Sequence, residues 1–243
     1  MRMWTFSSRT AREILRDPLT LFFGLGFPLI LLCLLTAIQA NVPVSLFEIE
    51  RLTPGIAVFG LSFVTLFSAT LISRDRETAF LWRLYTTPLT AADFILGYAL
   101  PIIPIAAVQS AVCYTATLFM GLRLSAAVIY AVLFIIPVSL FYIALGLLCG
   151  SVLSVKQAGG ICGALLTNLS AWLSGVWFDL DLVGKAFKRI AYLLPFVHAT
   201  ELERAVTTGE YSHILPHFIW VLGYTAVTAA AAVLLFLRQM KKQ

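Results

Sequence analysis

The stretch RDRETAFLWRLYTTPLTAADFILG, residues 74–97, is the longest charged interruption in the first half of a very apolar chain. Four charged residues open it, and a TTPLT run lies near its middle. Because proline disfavours the α conformation of the preceding residue, a first short helix is predicted to end at Thr87. Thr90 can cap a second helix, with Asp93 at the third position, where an acid suits the helix dipole. The pattern predicts two helices joined by a rigid turn, here named the charged segment.

The composition around this segment indicates an integral membrane protein. Of the 243 residues, 60% are hydrophobic and only 12% are charged, which is too apolar for an ordinary soluble domain. The formal net charge of +5 does not indicate a nucleic-acid partner, because the basic residues sit in short patches between apolar runs. All four cysteines lie inside apolar stretches without CxxC spacing, so they are predicted to be buried and not to bind metal.

Six apolar runs are each close to the roughly 20 residues that a helix needs to cross a bilayer. They predict an all-α protein with six transmembrane helices, at Leu19–Gln39, Pro54–Ser73, Tyr98–Gly121, Ala126–Gly150, Gln157–Trp177 and His213–Leu237. An even number of spans places both termini on one side. Eleven of the 17 basic residues fall on that side, which by the positive-inside rule is the cytoplasm. The charged segment is therefore predicted to be cytoplasmic.

Residues 1–17 are predicted to form a basic helix that lies flat on the cytoplasmic membrane surface. On a helical wheel one side carries Trp4, Ser7, Ala11, Ile14 and Leu15. The opposite side carries Arg2, Arg9, Arg12, Glu13 and Arg16, whereas Phe6 falls off the apolar face. The lipid bilayer is thus the expected partner of this helix.

The outer segment 178–212 differs from the other outer connections, which are short. A partly apolar helix over Lys185–Leu194 is predicted to break at Pro195. A second short helix, from about His198 to Thr207, then carries Glu201, Glu203 and Arg204. Irregular backbone at membrane depth must be shielded by protein or water. The segment is predicted to be a re-entrant hairpin between spans five and six, with an amphipathic loop on the outer surface as the alternative.

Groups that could carry chemistry are sparse. No charged residue lies in the middle of a predicted span, and the mid-span amides are Gln109 and Asn168. These amides could line a translocation path, or they could hydrogen-bond a neighbouring helix. His213 and His217 are four residues apart but lack the H-E-x-x-H pattern of a zinc hydrolase, and the chain has no P-loop. Neither an enzyme activity nor a cofactor or metal of the chain's own is expected.

At this point the pattern resembles the ABC-2 type permease family, the membrane subunits of ABC exporters. The resemblance covers essentially the whole chain, which it implies to be one transmembrane domain over 1–243. Its most specific parts are RE at 76–77 with RLYTTPL at 83–89, and LP at 194–195 followed by ELER at 201–204. The family commonly has a glycine and a second glutamate before the Arg-Leu pair, where this chain has AF at 79–80 and Trp82.

The resemblance implies a homodimer or pseudo-symmetric heterodimer in the cell inner membrane, with each half bound to a cytosolic ATP-binding subunit. ATP and magnesium would be bound by those two subunits. The charged segment would be the coupling helix, and its contact residues would be Arg76, Glu77, Arg83, Leu84, Thr87, Pro88 and Leu89. The hairpin with Pro195, Glu201 and Arg204 would cap an outward exit.

The substrate is left open by the sequence. A path of apolar, aromatic and hydroxyl side chains favours an amphiphilic or hydrophobic cargo such as a drug, an antibiotic or a lipid. Exporters of polysaccharides or lipid-linked glycans and of sodium or peptides share the fold. An ion-coupled carrier and a non-transporting scaffold are the competing classes, although carriers usually keep intramembrane carboxylates.

Overall fold

The computed structural model describes residues 2–42, 45–78 and 91–242, and these residues form helices without any strand. The helices are α1 (Arg2–Leu15), α2 (Pro18–Asn41), α3 (Ile49–Glu77), α4 (Ala91–Phe119), α5 (Ala126–Val152), α6 (155–173), α7 (Leu180–Val183), α8 (Lys185–Leu193), α9 (Pro195–Thr208) and α10 (Tyr211–Lys242). The predicted all-α class is confirmed for this part of the chain.

Five of these helices, α2, α3, α4, α5 and α10, are long and apolar enough to cross a membrane. They correspond to five of the six predicted spans, although the helix of the span Tyr98–Gly121 ends at Phe119, and the chain is a multi-pass membrane protein. The predicted span Gln157–Trp177 corresponds to α6, which is shorter and is interrupted by a π-helical stretch over Ile161–Leu166. The count of six spans therefore stays a prediction.

Helix α3 lies at the centre of the bundle. In its most apolar stretch 83% of the residues are buried, against 11% in α10, which packs on the outside. Helix α3 contacts α2, α4, α5, α6 and α9. A central helix of this kind is in a position to pass a displacement at one end to most of the bundle.

Two glycines allow α5 to pack closely on α3. A Cβ on Gly146 would lie 2.4 Å from the Ser68 Cβ and 2.7 Å from the Thr65 carbonyl oxygen, and a Cβ on Gly150 would lie 2.8 Å from the Ala69 carbonyl oxygen. Glycines four residues apart are typical of such contacts between membrane helices, where close packing replaces the hydrophobic effect. Helices α3 and α5 therefore form the rigid centre of the fold.

The bundle has two distinct ends. At the α1 end, α1 packs on α3 and α4. At the hairpin end, α8 and α9 are joined at Leu194, whose extended backbone (φ −108°, ψ 153°) precedes Pro195 at the first position of α9. Gly209, with φ +77°, ends α9 in the left-handed region and allows α10 to start. Two helices that meet at Pro195 are therefore observed, and the re-entrant hairpin remains a prediction.

Candidate functional site

The last turn of α3 carries four consecutive charged residues at 74–77, immediately before the part of the charged segment that the structure leaves undescribed. Each of the four contacts an element outside α3. In sequence this cluster could equally have been a solvated group that only sets membrane topology. The contacts instead make it a junction of four elements.

Asp75 is the buried centre of this junction, with 2% of its surface exposed. Its carboxylate accepts two parallel hydrogen bonds from the Arg9 guanidinium, at 2.7 and 2.9 Å. The Tyr98 hydroxyl donates a third, at 2.6 Å. A buried carboxylate is tolerated when it is paired and its remaining lone pairs are hydrogen-bonded. Asp75 therefore joins α1, α3 and α4 at one point.

Helix α1 is held on the bundle by apolar contacts as well. The Phe6 ring is buried edge-on against Tyr98, with ring centroids 4.9 Å apart, and Gly97 leaves room for it. The helical wheel excluded Phe6 from the apolar face, because a wheel cannot show that α4 packs on a second side of the helix. Trp4 and Leu15 are 66% and 62% exposed, so they remain available to a membrane surface. The interfacial placement of α1 stays a prediction.

Arg76 and Glu77 contact the connection between α5 and α6. The Arg76 guanidinium donates to the carbonyl oxygens of Ser151 and Leu153 at the end of α5. The Glu77 carboxylate accepts the backbone N–H of Val155, at 2.9 Å, at the start of α6. These groups satisfy backbone atoms that helix ends leave unpaired. A movement at the end of α3 therefore reaches α6 directly.

The remaining members of the predicted contact set lie outside the described residues, namely Arg83, Leu84, Thr87, Pro88 and Leu89. The structure places Arg76 half-buried and Glu77 exposed, with both side chains bound to the α5–α6 connection. These two residues are therefore brought together at the base of the charged segment.

The two mid-span amides are not brought together. Gln109 is 1% exposed and donates through Nε2 to the Ala57 carbonyl oxygen of α3, at 3.2 Å, while Gly60 leaves space for the amide. Asn168 lies on an exposed face of α6 and donates to the Ala164 carbonyl oxygen of its own helix, at 2.8 Å. Gln109 thus contacts a neighbouring helix, whereas Asn168 is placed where a path or a second subunit could meet it.

Arg204 organises the hairpin end. Its guanidinium pairs with Glu201, at 2.8 Å, and donates to the Gly175 carbonyl oxygen, at 3.2 Å, and to the Arg51 carbonyl oxygen, at 3.4 Å. These bonds connect α9 to the start of α3 and to the residues that follow α6. Two of the three predicted hairpin residues, Glu201 and Arg204, therefore form one ion pair, while Pro195 sets the turn.

A histidine pair that the sequence did not predict lies beside this hairpin. The Nδ1 atoms of His198 and His217 are 2.8 Å apart, and the His198 ring stacks on Trp220 with centroids 4.8 Å apart. His198 Nε2 lies 2.9 Å from the Tyr192 carbonyl oxygen, so Nε2 carries the proton that it donates. Burial lowers the pKa of His198 below its ordinary value. Within the described ranges no cluster of three metal-ligating side chains occurs.

Comparison with known proteins decides the family. A family model described as "ABC-2 type transporter" matches residues 1–207. The chain belongs to the ABC-2 type transporter family. The resemblance in the sequence is thereby confirmed.

Proteins similar to this ABC-2 family member are named as transport permeases. The probable multidrug ABC transporter permease YbhR of Escherichia coli (strain K12) is 26% identical over 208 residues, which cover 82% of this chain and 54% of that protein. The putative transport permease ycf38 of Pyropia yezoensis is 35% identical over 120 residues, which cover 47% of this chain and 41% of that protein. The chain spans about half the length of the curated relatives it matches.

Proposed function

We propose that this chain is the membrane permease subunit of an ATP-driven ABC exporter, forming one transmembrane domain over 1–243. Membership of the ABC-2 type transporter family supports the transport role. The observation that carries the mechanism is the junction at 74–77, which ties the start of the charged segment to α1, α4, α5 and α6. A displacement of the charged segment would reach four elements of the bundle at once.

In this proposal the charged segment is the coupling helix that contacts a separate ATP-binding subunit. Arg83, Leu84, Thr87, Pro88 and Leu89 would supply most of the contact. Arg76 and Glu77 would complete it and pass the movement to the α5–α6 connection, to which they are bound. A partner can shift the permease between two states only if it contacts them differently. In this proposal the charged segment would take a different position in each state.

The complete transporter would contain two ATP-binding subunits and a second permease copy, identical or paralogous. ATP and magnesium would be bound by the partner subunits. The α1 end would face the cytoplasm with both termini, in the cell inner membrane, because most basic residues lie on that side. Helix α1 would lie at the membrane surface, with Trp4 and Leu15 towards lipid.

The proposed substrate is an amphiphilic or hydrophobic molecule, such as a drug, an antibiotic or a lipid. A cavity of about 730 Å³ lies at the hairpin end, and its wall combines two arginines, two glutamates and two histidines. The charged wall and the apolar helix faces around it suit a molecule with a polar head and an apolar body. The name of the E. coli relative includes multidrug transport. Export of glycans, sodium or peptides is the alternative within the same fold.

One observation favours a second class, the ion-coupled carrier. The carboxyl group of Glu203 is fully buried in the bundle, and buried carboxyls are typical of proton and ion carriers. Dependence of transport on ATP and on a partner ATPase separates the two classes. Stimulation of that ATPase by substrate separates an exporter from a scaffold.

The test is affinity purification of the full chain in mild detergent, followed by mass spectrometry and by transport in vesicles. We expect an ATP-binding subunit in roughly equal amount, lost in Leu84→Asp, with transport uncoupled from ATP hydrolysis in Pro88→Ala. Leu182→Asp is the matched control, because Leu182 is 82% exposed at the opposite end. A chain that purifies alone in good yield contradicts the exporter. Unchanged transport in both charged-segment variants contradicts the coupling role.

A further inference from the structure

Glu203 on α9 is the least expected group in the molecule. Its exposed fraction is 0%, and neither carboxyl oxygen makes a hydrogen bond with any residue that the structure describes. The helix that carries it packs against α3, α5 and α10. In the sequence Glu203 is part of the ELER motif at 201–204, and nothing there indicates its burial.

The polar neighbour of Glu203 is the hydroxyl group of Tyr114 on α4. Tyr114 is 1% exposed, and its hydroxyl also lacks a hydrogen bond among the described residues. The hydroxyls of Ser110, one turn earlier on α4, and of Thr200, one turn earlier on α9, are buried without partners as well. Unsatisfied buried oxygens are rare, so each of these groups calls for an explanation.

No cation of the described chain neutralises Glu203. The adjacent Arg204 is directed to Glu201 and to two carbonyl oxygens, and the nearest histidines pair with each other beside Trp220. Titratable groups on the neighbouring helices have other surroundings. Cys113 of α4 lies beside Gln109, and Tyr142 of α5 bonds Ser170. Arg51 of α3 and His213 of α10 line the outer cavity. Glu203 is thus isolated from positive charge.

An ionised carboxylate in such a place costs several kcal/mol, because neither water nor a partner replaces its hydration. A proton removes the charge and also supplies the hydrogen that one of the surrounding oxygens needs. Burial raises the pKa of the Glu203 carboxyl well above its usual value, and α9 lies outside the five spans. Burial and the missing counter-charge therefore both favour the neutral carboxyl group while α9 is packed on the bundle.

We propose that Glu203 and Tyr114 form a proton-binding site that couples the packing of α9 to pH. When α9 moves and exposes the carboxyl group to water, its O–H bond breaks, the proton passes to water and a carboxylate remains. Repacking of α9 requires that a proton be taken up again. The proton site rests on the burial of Glu203 and on its missing hydrogen bonds, whereas its consequence for transport rests on the proposed exporter function.

The first test compares unfolding of the full chain in detergent between pH 5 and pH 7. Because the pKa of Glu203 is raised in the folded state, its proton stabilises the protein fully below the unfolded-state pKa of about 4.3. This stabilisation is lost as the pH rises through the folded-state pKa. Relative to Glu203→Gln, the folding equilibrium of the wild type should fall by up to about tenfold per pH unit, and the fall should level off once the pH passes the folded-state pKa. Glu210→Gln is the matched control, because Glu210 is an exposed acid at the same end. Equal pH slopes in the wild type and Glu203→Gln overturn the proton site.

A second measurement does not require the glutamine variant to fold. Infrared spectroscopy of the wild type at pH 7 should show the C=O stretch of a protonated carboxyl group, which shifts in Tyr114→Phe because the neighbouring hydroxyl group is removed. Glu210→Gln should leave the band unchanged. Absence of a protonated carboxyl band at pH 7 overturns the proposal.

Transport is measured last, so that a failure of the exporter proposal can be distinguished from a failure of the proton-site proposal. In vesicles that contain the permease and its ATPase, Glu203→Gln should flatten the dependence of export on the pH of the outer side. An unchanged dependence overturns the coupling of α9 movement to proton release. Absence of any ATP-driven export contradicts the exporter, while the unfolding and infrared results still decide the proton site.

Discussion

Replacement of Arg9 by methionine tests whether the junction at 74–77 holds α1 on the bundle. Methionine keeps most of the apolar length of the side chain and removes the guanidinium that bonds Asp75 twice. The Asp75 carboxylate then stays buried and still accepts the hydrogen bond from the Tyr98 hydroxyl. The expected result is local detachment of α1, because that movement gives the carboxylate access to water.

The magnitude follows from burial. Removal of one partner from a buried ion pair costs about 3–5 kcal/mol, because the other charge is left uncompensated. The Arg9 side chain is 37% exposed and Tyr98 still donates, so solvent screening and the remaining bond reduce the loss to about 2 kcal/mol. This value raises the opening equilibrium of α1 roughly 30-fold.

Hydrogen exchange of the α1 backbone amides measures this opening directly. We expect exchange to accelerate roughly 30-fold in Arg9→Met, by the same conversion. Arg12→Met is the matched control, because Arg12 is exposed on the same helix and its described side-chain hydrogen bond is to Ser8, at 3.3 Å. It should change exchange less than about twofold, since exposed contacts contribute little.

The double variant Arg9→Met with Asp75→Asn separates pairing from other effects. Asparagine removes the buried charge and still accepts from Tyr98, so the double variant should regain at least half of the lost protection. The reasoning is refuted if Arg9→Met leaves α1 exchange unchanged. It is also refuted if Asp75→Asn adds a further loss to that of Arg9→Met.

Further outcomes follow from packing and from the histidine pair. Gly146→Ala should destabilise the protein by about 1–3 kcal/mol when it is unfolded in detergent, because α5 must move away from α3. Gly159→Ala is the control: its added Cβ meets nothing within 4 Å, so it should be neutral or stabilising. Because the pKa of His198 is lowered in the folded protein, this group stabilises the protein above its unfolded-state pKa of about 6.5. The contribution is lost as the pH falls towards the folded-state pKa. The midpoint of unfolding should therefore decrease less in His198→Gln than in the wild type when the pH is lowered from 7 to 5. His213→Gln is the control for an exposed histidine.

The sequence was sufficient to predict those structural features whose cause is local in the chain or depends on the bilayer. Apolar runs of fixed length predicted the spanning helices, since a chain in lipid must satisfy its backbone internally. Pro195 predicted the turn of the hairpin, because proline restricts the residue before it. The motifs at 76–77, 83–89 and 194–204 identified the family, which the match over residues 1–207 confirms.

The contacts between elements distant in sequence were not predictable from the pattern. Neither the partner of Arg9, 66 residues away, nor the pairing of His198 with His217 leaves a periodic signal. The same holds for Gly146, whose role depends on the face that α3 presents to it. Phe6 shows the reason most directly, because a helical wheel assumes one partner surface and α1 has more than one.

The sequence by itself determined that this protein is a helical, multi-pass member of the ABC-2 type transporter family with a charged segment between two spans. Hydropathy, helix length and proline act along the chain, so a linear reading recovers them. Only the tertiary structure decided that Asp75 is the centre of a junction and that Glu203 is buried without a counter-charge. The energy of a charge depends on the dielectric and on the atoms around it, and these are fixed only when α3, α4 and α9 pack together.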